Sequence, residues 1–168
     1  MISQRQLFLD HLAQTSDTPL MLEVDRAEGI YLYDTEGKQY MDFISGISVS
    51  NLGHRHPAVI EAIHQQLEKY THLMVYGEYV QTPQVQLASL LAQQLPSSLD
   101  SVYFVNSGSE ANEGALKLAK RYTGRYEMIS FTGAYHGSTH GALSVMGNEY
   151  FKTAFRPLVP GVKIFLYN

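Results

Sequence analysis

The sequence predicts an α/β fold whose second half contains a mainly parallel sheet. After residue 101, short apolar runs alternate with helical patterns, an order typical of parallel strands joined by crossover helices. Two of these runs, 102–105 and 126–131, are each followed by a polar loop that contains glycine. Residues 21–43 instead contain three short runs separated by turn residues, which indicates a small antiparallel sheet.

The first half of the chain is expected to contain a leading helix, three small strands and two longer helices. Apolar residues at helical spacing predict the leading helix, and Asp17-Thr18-Pro19 ends it. Proline suits the first turn of a helix, so Pro57 and Pro83 mark the starts of two more. The predicted elements are a helix over 4–14, strands over 21–24, 29–33 and 39–43, a helix from Pro57 to about Tyr70, and a helix from Pro83 to Leu95.

The second half of the chain is where strands and helices are expected to alternate. The predicted order is a strand over 102–105, a helix from Ser109 to Tyr122, a strand over 127–131, a loop with a short helix at about 148–154, and a strand from Val162 to Leu166. No internal repeat or low-complexity linker interrupts this order.

The composition is that of a globular protein whose partner is a small molecule. The 168 residues are 45% hydrophobic and 17% charged, which is enough apolar sequence for a core. The net charge of −4 includes no basic stripe, which argues against nucleic acid and anionic membranes as partners. There is no cysteine and hence no disulfide framework, and the N-terminus lacks the apolar core of a signal peptide, so a cytoplasmic location is expected.

Histidine pairs raise the question of a metal site. His54 and His56 form a His-x-His pair, and His136 and His140 are four residues apart. Neither pair has an acidic partner at helical spacing, and the neighbouring glycines favour a loop around the second pair. No metal is therefore expected.

The segment Asn106–Glu113 directly follows an apolar run and opens a helical pattern. Unpaired amide groups and the positive end of the helix dipole meet at such a point and attract an anion. Gly108 allows close approach of the main chain, while Ser107 and Ser109 offer hydroxyl donors. An ordinary helix N-cap has the same local sequence, so the segment alone leaves both interpretations open.

A second polar loop, 131–139, ends the next predicted strand and contains Tyr135 and His136. Ligands of parallel α/β sheets bind beyond the carboxyl ends of the strands. One loop that binds a phosphate beside another that offers an aromatic ring predicts a site for a phosphorylated planar cofactor.

These residues resemble the class III aminotransferases, fold type I enzymes that use pyridoxal 5′-phosphate (PLP). The resemblance is carried by Asn106–Glu113, by Ala115–Ala119 and by Tyr135-His136-Gly137. Further marks are Leu32-Tyr33-Asp34 with Gly37-Lys38, Asp42, Gly46-Ile47, Asn51–His54 with His56-Pro57, Thr82-Pro83 with Leu87-Ala88, and Pro157–Gly161. The match covers nearly the whole chain.

The resemblance implies an α/β PLP-transferase fold of type I, similar to aspartate aminotransferase, of which this chain is the N-terminal portion. Residues 1–56 would form the N-terminal α+β segment of the small domain. Residues 57–168 would form the first part of the large, PLP-binding domain.

The resemblance also implies roles for individual residues. The backbone amides of Gly108 and Ser109, with Ser107, would hold the PLP phosphate, and Tyr135 would stack on the pyridine ring. His136 would support the loop or border the cofactor.

Substrate contacts are implied in the first half of the chain. Ile47 occupies a position that faces the substrate in relatives, and ornithine-type enzymes tend to carry tyrosine there, so an ornithine δ-aminotransferase is less favoured. The segment 74–82 resembles a loop near the partner subunit's active site, which would bring Tyr76, Glu78 and Tyr79 to the interface of a homodimer.

An aminotransferase of this family needs a lysine that binds PLP as a Schiff base. None of the lysines here stands in the family's position; they are Lys38, Lys69, Lys117, Lys120, Lys152 and Lys163. We therefore expect no catalytic residue within the chain, no activity of these 168 residues alone, and uncovered sheet edges that prevent them from folding as an isolated monomer.

Three hypotheses follow for the parent protein. The first is an aminotransferase that moves an amino group from an ω-amino donor, such as 4-aminobutyrate or acetylornithine, to a 2-oxo acid such as 2-oxoglutarate. The second is a PLP-dependent aminomutase or decarboxylase on the same scaffold. The third is a non-catalytic phosphate-binding fragment.

Overall fold

A computed structural model describes residues 2–74 and 76–167. Its elements, in chain order, are α1 (Gln4–His11), β1 (Val24–Glu28), β2 (Tyr31–Asp34), β3 (Gln39–Met41), α2 (Ser45–Ser48), α3 (Pro57–Leu67), α4 (Thr82–Gln94), α5 (Gly108–Thr123), β4 (Met128–Phe131), α6 (His140–Ser144), the 3₁₀ turns Glu149–Phe151 and Thr153–Phe155, and β5 (Val162–Phe165). The chain divides into two compact units, Met1–Tyr79 and Val80–Asn168. The domain boundary predicted after residue 56 refers to the complete fold and stays a prediction.

The first unit contains the predicted antiparallel sheet, in the order β1-β2-β3. The turn between β2 and β3 is held by Asp34, whose carboxylate accepts hydrogen bonds from the amides of Glu36 and Lys38 at 3.0 and 2.9 Å. The prediction of a strand over 21–24 was wrong, because β1 runs through the charged residues that follow. As an edge strand with mostly exposed side chains, β1 accommodates charge, and Arg26 lies 3.5 Å from the ring centre of Tyr33.

Two predicted helices of this unit end earlier than expected. The backbone of Leu12 is extended, so α1 ends at His11. The longer helix α3 begins at Pro57 as predicted and ends at Leu67.

The second unit contains a parallel pair of strands, β4 and β5, with Met128 opposite Val162 and Phe131 opposite Phe165. The parallel pairing confirms the prediction of a parallel sheet in this half of the chain. The helix α5 has Ser107 as its N-cap, ends at Thr123 and has as its C-cap Gly124, whose backbone is left-handed with φ of 68°.

The prediction of a strand over 102–105 was wrong, since those residues form no strand in the described part of the chain. A strand requires a neighbour for its backbone hydrogen bonds, and no strand among the described residues pairs with 102–105. The loop predicted after β4 also differs, because it contains the short helix α6.

The core of the second unit lies around α6. The buried hydrophobic residues of the described chain are Ala142, Leu143, Val145 and Met146. Large apolar residues of α3 and α4, including Ile63, Leu67 and Leu90, are exposed.

No helix among the described residues combines the length and apolarity that crossing a bilayer requires.

Met146→Ala is expected to destabilise the protein by about 2–4 kcal/mol, because Met146 is only 1% exposed and its removal leaves a cavity. Chemical denaturation of the purified gene product and its variant measures the change. Met41→Ala is the control, since Met41 is 50% exposed and its truncation should cost less than about 0.5 kcal/mol. Equal losses in the two variants would contradict the position of this core.

Candidate functional site

The N-terminus of α5 is built by reciprocal capping. The Ser107 hydroxyl accepts a hydrogen bond from the Glu110 amide at 3.1 Å, and the Glu110 carboxylate accepts one from the Asn106 amide at 2.9 Å. Gly108 and Ser109 are the first residues of the helix, so their amide groups have no intrahelical acceptor. Two amide donors and the positive end of the helix dipole therefore remain available to an anion.

The loop after β4 packs directly on this helix end. The Asn112 side-chain amide donates to the His136 carbonyl at 2.7 Å, and the Thr139 amide donates to the Ser109 hydroxyl at 3.1 Å. Gly137 makes the close approach possible, because it has φ of 120° and a Cβ there would lie 2.8 Å from the Ser109 Cα. The structure thus brings together the two polar loops that the sequence singles out.

An open cavity of about 620 Å³ lies between the two loops. Its lining residues are Gly108, Ser109, Asn112, Tyr135, His136, Gly137, Ser138 and Thr139. No lysine, arginine, aspartate or glutamate is among the described residues that line it. An anion in this cavity would therefore be held by amide and hydroxyl dipoles rather than by a counter-ion. We call this group of residues the cradle.

Four of the predicted cofactor-binding residues line the cradle, and one does not. Gly108, Ser109, Tyr135 and His136 border the cavity, whereas Ser107 lies outside its lining and caps the helix.

The rings of Tyr135 and His136 make different contacts with the rest of the structure. The Tyr135 side chain is exposed and meets Phe151 edge to face, with ring centres 6.5 Å apart. His136 Nε2 lies 3.3 Å from the hydroxyl of Ser130, which is buried. The His136 ring therefore anchors the loop to β4, and the Tyr135 ring has room for a planar ligand.

Asn112 and Glu113 also belong to the site, although neither was predicted from the sequence as a site residue. Asn112 follows Ser109 by three residues and so lies on the same helix face, which was the available signal. The Glu113 carboxylate accepts hydrogen bonds from the amides of Gly141 and Ala142 at 2.8 and 3.1 Å, and so caps α6. The Thr139 side chain and then these amides hold the pKa of Glu113 below its usual range.

The link between α5 and α6 is expected to weaken in acid. A lowered pKa means that Glu113 contributes fully above its unfolded value of about 4.5 and loses this contribution as the pH falls through the folded value. The free energy of unfolding should therefore differ between the wild-type protein and Glu113→Gln at pH 7, and the difference should shrink below pH 4.5. Urea denaturation at several pH values measures it, and a difference that is constant with pH would contradict this role.

The predicted substrate residue Ile47 lies on a left-handed turn in the first unit. Four successive residues of α2 have positive φ: Ser45 at 51°, Gly46 at 61°, Ile47 at 63° and Ser48 at 62°. Such backbone is strained for every residue other than glycine and persists only where surrounding contacts enforce it. Ile47 is 85% exposed, and its role toward a substrate stays a prediction.

Asp42 enforces this turn and was not recognised as a site residue from the sequence. Its carboxylate accepts hydrogen bonds from the amides of Ser45 and Ile44 at 2.8 and 3.0 Å and lies 2.8 Å from His54 Nε2. The Ser45 amide, His54 and the Ile44 amide hold the pKa of Asp42 below its usual range. Backbone bonds to Gly29 at 3.0 and 2.7 Å fix His54 in turn.

One histidine of each pair, His54 and His140, has another partner in the structure. His54 binds Asp42, and His140 Nε2 donates to the Pro157 carbonyl at 3.1 Å. Within the described ranges, no three histidine, aspartate or glutamate side chains are grouped as ligands for a metal ion.

Tyr76 and Tyr79 are exposed, and their predicted contribution to a dimer interface stays a prediction.

Comparison with known proteins identifies a family for almost the whole chain. The family described as aminotransferase class-III matches residues 12–168. The chain is 43% identical over 158 residues to the acetylornithine aminotransferase of Archaeoglobus fulgidus, covering 94% of this chain and 41% of that protein. It is 45% identical over 133 residues to the acetylornithine aminotransferase of Methanopyrus kandleri, covering 79% of this chain and 34% of that protein.

Solved structures match the fold. The adenosylmethionine-8-amino-7-oxononanoate aminotransferase of Methanocaldococcus jannaschii has a TM-score of 0.88 at 32% identity, over 97% of this chain and 40% of that one. The taurine:2-oxoglutarate aminotransferase of Bifidobacterium kashiwanohense, solved in complex with PLP and glutamate, has a TM-score of 0.84 at 29% identity, over 96% of this chain and 37% of that one. The chain thus spans about two fifths of the length of such relatives.

Proposed function

Because the chain belongs to the class III aminotransferase family and has the PLP-transferase fold of type I, we propose that it carries the phosphate-binding part of a PLP-dependent aminotransferase. The observation that carries this proposal is the cradle, in which the amide groups of Gly108 and Ser109 meet the Tyr135 ring across one cavity. A phosphate on a planar ring is the ligand that suits both features.

The residues present fit such a cofactor. A Cβ added at Gly108 would meet no atom within 4 Å, so the helix end faces open space that a phosphate can enter. The phosphate would accept hydrogen bonds from the amides of Gly108 and Ser109 and from the Ser109 hydroxyl, while Ser107 fixes the helix end as its cap. When bound, PLP supplies an electron-accepting ring for amino-group transfer.

The remaining predicted residues take supporting roles in this proposal. Tyr135 would cover one face of the cofactor ring, and the bond of His136 to Ser130 would keep the loop in place. Ile47, held on its turn by Asp42, would face the substrate.

The substrates follow from the names of the relatives. Several are acetylornithine aminotransferases, and one solved relative is a taurine:2-oxoglutarate aminotransferase. We therefore propose an ω-amino donor of the acetylornithine or 4-aminobutyrate type and a 2-oxo acid acceptor such as 2-oxoglutarate.

We propose that the lysine that bonds the cofactor is none of the lysines described here. No lysine lines the described cradle, and Lys152 is buried with its Nζ donating to the Met146 carbonyl at 2.9 Å. We place that lysine in the part of the longer relatives that this chain does not match. Homodimer formation and a cytoplasmic location belong to the same proposal.

Intact mass of the purified gene product after borohydride reduction tests the proposal, because reduction makes a lysine-bound cofactor permanent. One PLP adduct per chain, with amino transfer from acetylornithine or 4-aminobutyrate to 2-oxoglutarate, is the expected result. An adduct together with loss of carbon dioxide or with an isomerised amino acid would instead indicate a decarboxylase or an aminomutase. An unmodified chain of 18.9 kDa would contradict the proposed activity and leave only phosphate binding.

A further inference from the structure

Tyr135 lines the cradle, and its ring is held mainly by a residue outside its own loop. Tyr135 is 67% exposed, and its hydroxyl oxygen lies 3.3 Å from the hydroxyl oxygen of Ser138, three residues further along the same loop. Among the described residues, Phe151 makes the ring contact from outside that loop, with ring centres 6.5 Å apart and ring planes at 79°. This edge-to-face contact restrains the Tyr135 ring and leaves most of its surface exposed.

Phe151 lies in a 3₁₀ turn that is bonded to the core of the second unit. The next residue, Lys152, is 4% exposed, and its ammonium group donates to the carbonyl of the buried Met146 at 2.9 Å. The same ammonium group lies 3.6 Å from the Glu149 carboxylate, and the Lys152 amide donates to the Glu149 carbonyl at 3.0 Å. The backbone on both sides of Phe151 is therefore fixed, which gives the Phe151 ring a defined position.

A restrained Tyr135 ring matters because an exposed side chain normally changes rotamer on the picosecond to nanosecond timescale. A ligand that stacks on a freely moving ring must restrict that motion, at a cost in conformational entropy. Phe151 restricts the motion of the Tyr135 ring before any ligand binds. Phe151 is not among the residues that line the described cradle, so it acts on a ligand through Tyr135.

We propose that Phe151 is a positioning residue, which holds the Tyr135 ring in place to stack on the planar ring of the cofactor. This inference rests on the proposed function. The two parts of the cofactor are then bound by separate groups, the phosphate by the N-terminus of α5 and the planar ring by Tyr135 with Phe151 behind it. Removal of the Phe151 ring should therefore weaken the binding of any ligand that contains the planar ring, with or without a phosphate.

The test measures the affinities of the purified gene product for PLP, for pyridoxal, which lacks the phosphate, and for inorganic phosphate, which lacks the ring. Phe151→Leu keeps an apolar side chain and removes the aromatic ring. The affinities for PLP and pyridoxal are each expected to fall by about fivefold, and the affinity for inorganic phosphate is expected to stay unchanged. Phe151→Tyr, which restores an aromatic ring, should keep all three wild-type affinities.

Phe155→Leu is the matched control, because Phe155 lies in the neighbouring 3₁₀ turn and makes no ring contact among the described residues. This variant should keep all three affinities. Tyr135→Ala removes the ring on which Phe151 acts, so Phe151→Leu should cause no further loss of pyridoxal affinity in that background.

Four outcomes would overturn the role of Phe151. They are an unchanged pyridoxal affinity in Phe151→Leu, an equal loss in Phe155→Leu, an equal loss in the Tyr135→Ala background, and a parallel fall in the affinity for inorganic phosphate, which would indicate general damage to the cradle. The proposed function is judged by a different comparison. Equal wild-type affinities for PLP and pyridoxal would contradict phosphate binding at α5, whereas the response of pyridoxal binding to Phe151→Leu decides the role of Phe151.

Discussion

Gly137→Ala is expected to weaken PLP binding by about 100-fold, because it separates the two loops that form the cradle. The new Cβ would lie 2.5 and 2.8 Å from Ser109 Cβ and Cα, and φ of 120° is unfavourable for alanine. Relief of that contact moves the loop away from α5 and breaks the bonds made by Asn112 and Thr139. The loss of one or two hydrogen bonds to a charged ligand accounts for a change of this size.

Titration of the purified gene product with PLP, followed by absorbance or calorimetry, measures the effect of Gly137→Ala. Gly133→Ala is the matched control. Gly133 lies in the same loop and also has positive φ, but a Cβ there would meet no atom within 4 Å. The control should lose some stability and keep its affinity for PLP. Equal affinities of the two variants would contradict the close approach of Gly137 to Ser109.

Gly147→Ala is expected to destabilise the protein by about 3 kcal/mol, since the added Cβ would enter backbone rather than a flexible side chain. It would lie 2.8 Å from the Gly133 amide nitrogen and 2.9 Å from Thr132 Cα, and it would contact the Phe131 carbonyl. The Gly147 amide also donates to the Ala134 carbonyl at 3.0 Å, which holds the segment after α6 against the end of β4. This substitution therefore displaces the loop that carries Tyr135.

Denaturant unfolding of the gene product checks this expectation. The matched substitution is Gly114→Ala, within α5, where the nearest atom to an added Cβ is Tyr103 Cε1 at 3.9 Å. An alanine in the interior of a helix is expected to stabilise by about 0.5–1 kcal/mol relative to glycine. Opposite signs for the two variants are the expected pattern, and a neutral Gly147→Ala would show that the end of β4 is not packed as described.

The starts of the longer helices could be predicted from the sequence because their signals are local. Pro57 begins α3, and Ser107 precedes α5, where hydroxyl capping favours a helix start. The same signals located Gly108 and Ser109 at the helix end that lines the cradle. Membership in the aminotransferase class-III family confirms the resemblance on which the predicted cofactor rested.

Three local structures could not be predicted from the sequence, because each depends on residues that are distant along the chain. The apolar run 102–105 has a strand pattern but no pairing among the described residues. The start of α6 depends on Glu113, which accepts hydrogen bonds from Gly141 and Ala142. These residues follow Glu113 by 28 and 29 positions in the sequence. The left-handed turn at Ile47 likewise depends on Asp42 and His54, whose side chains meet across twelve residues.

The affinity of the purified gene product for PLP relative to pyridoxal is the decisive measurement of phosphate binding at α5, because the two molecules differ only in the phosphate. We expect PLP to bind at least about 100-fold more tightly than pyridoxal. Gly108→Ala, whose Cβ enters the open space at the helix end, should reduce this ratio by about tenfold or more. Equal binding of PLP and pyridoxal, or a ratio that Gly108→Ala leaves unchanged, would contradict the assignment of the phosphate to the N-terminus of α5.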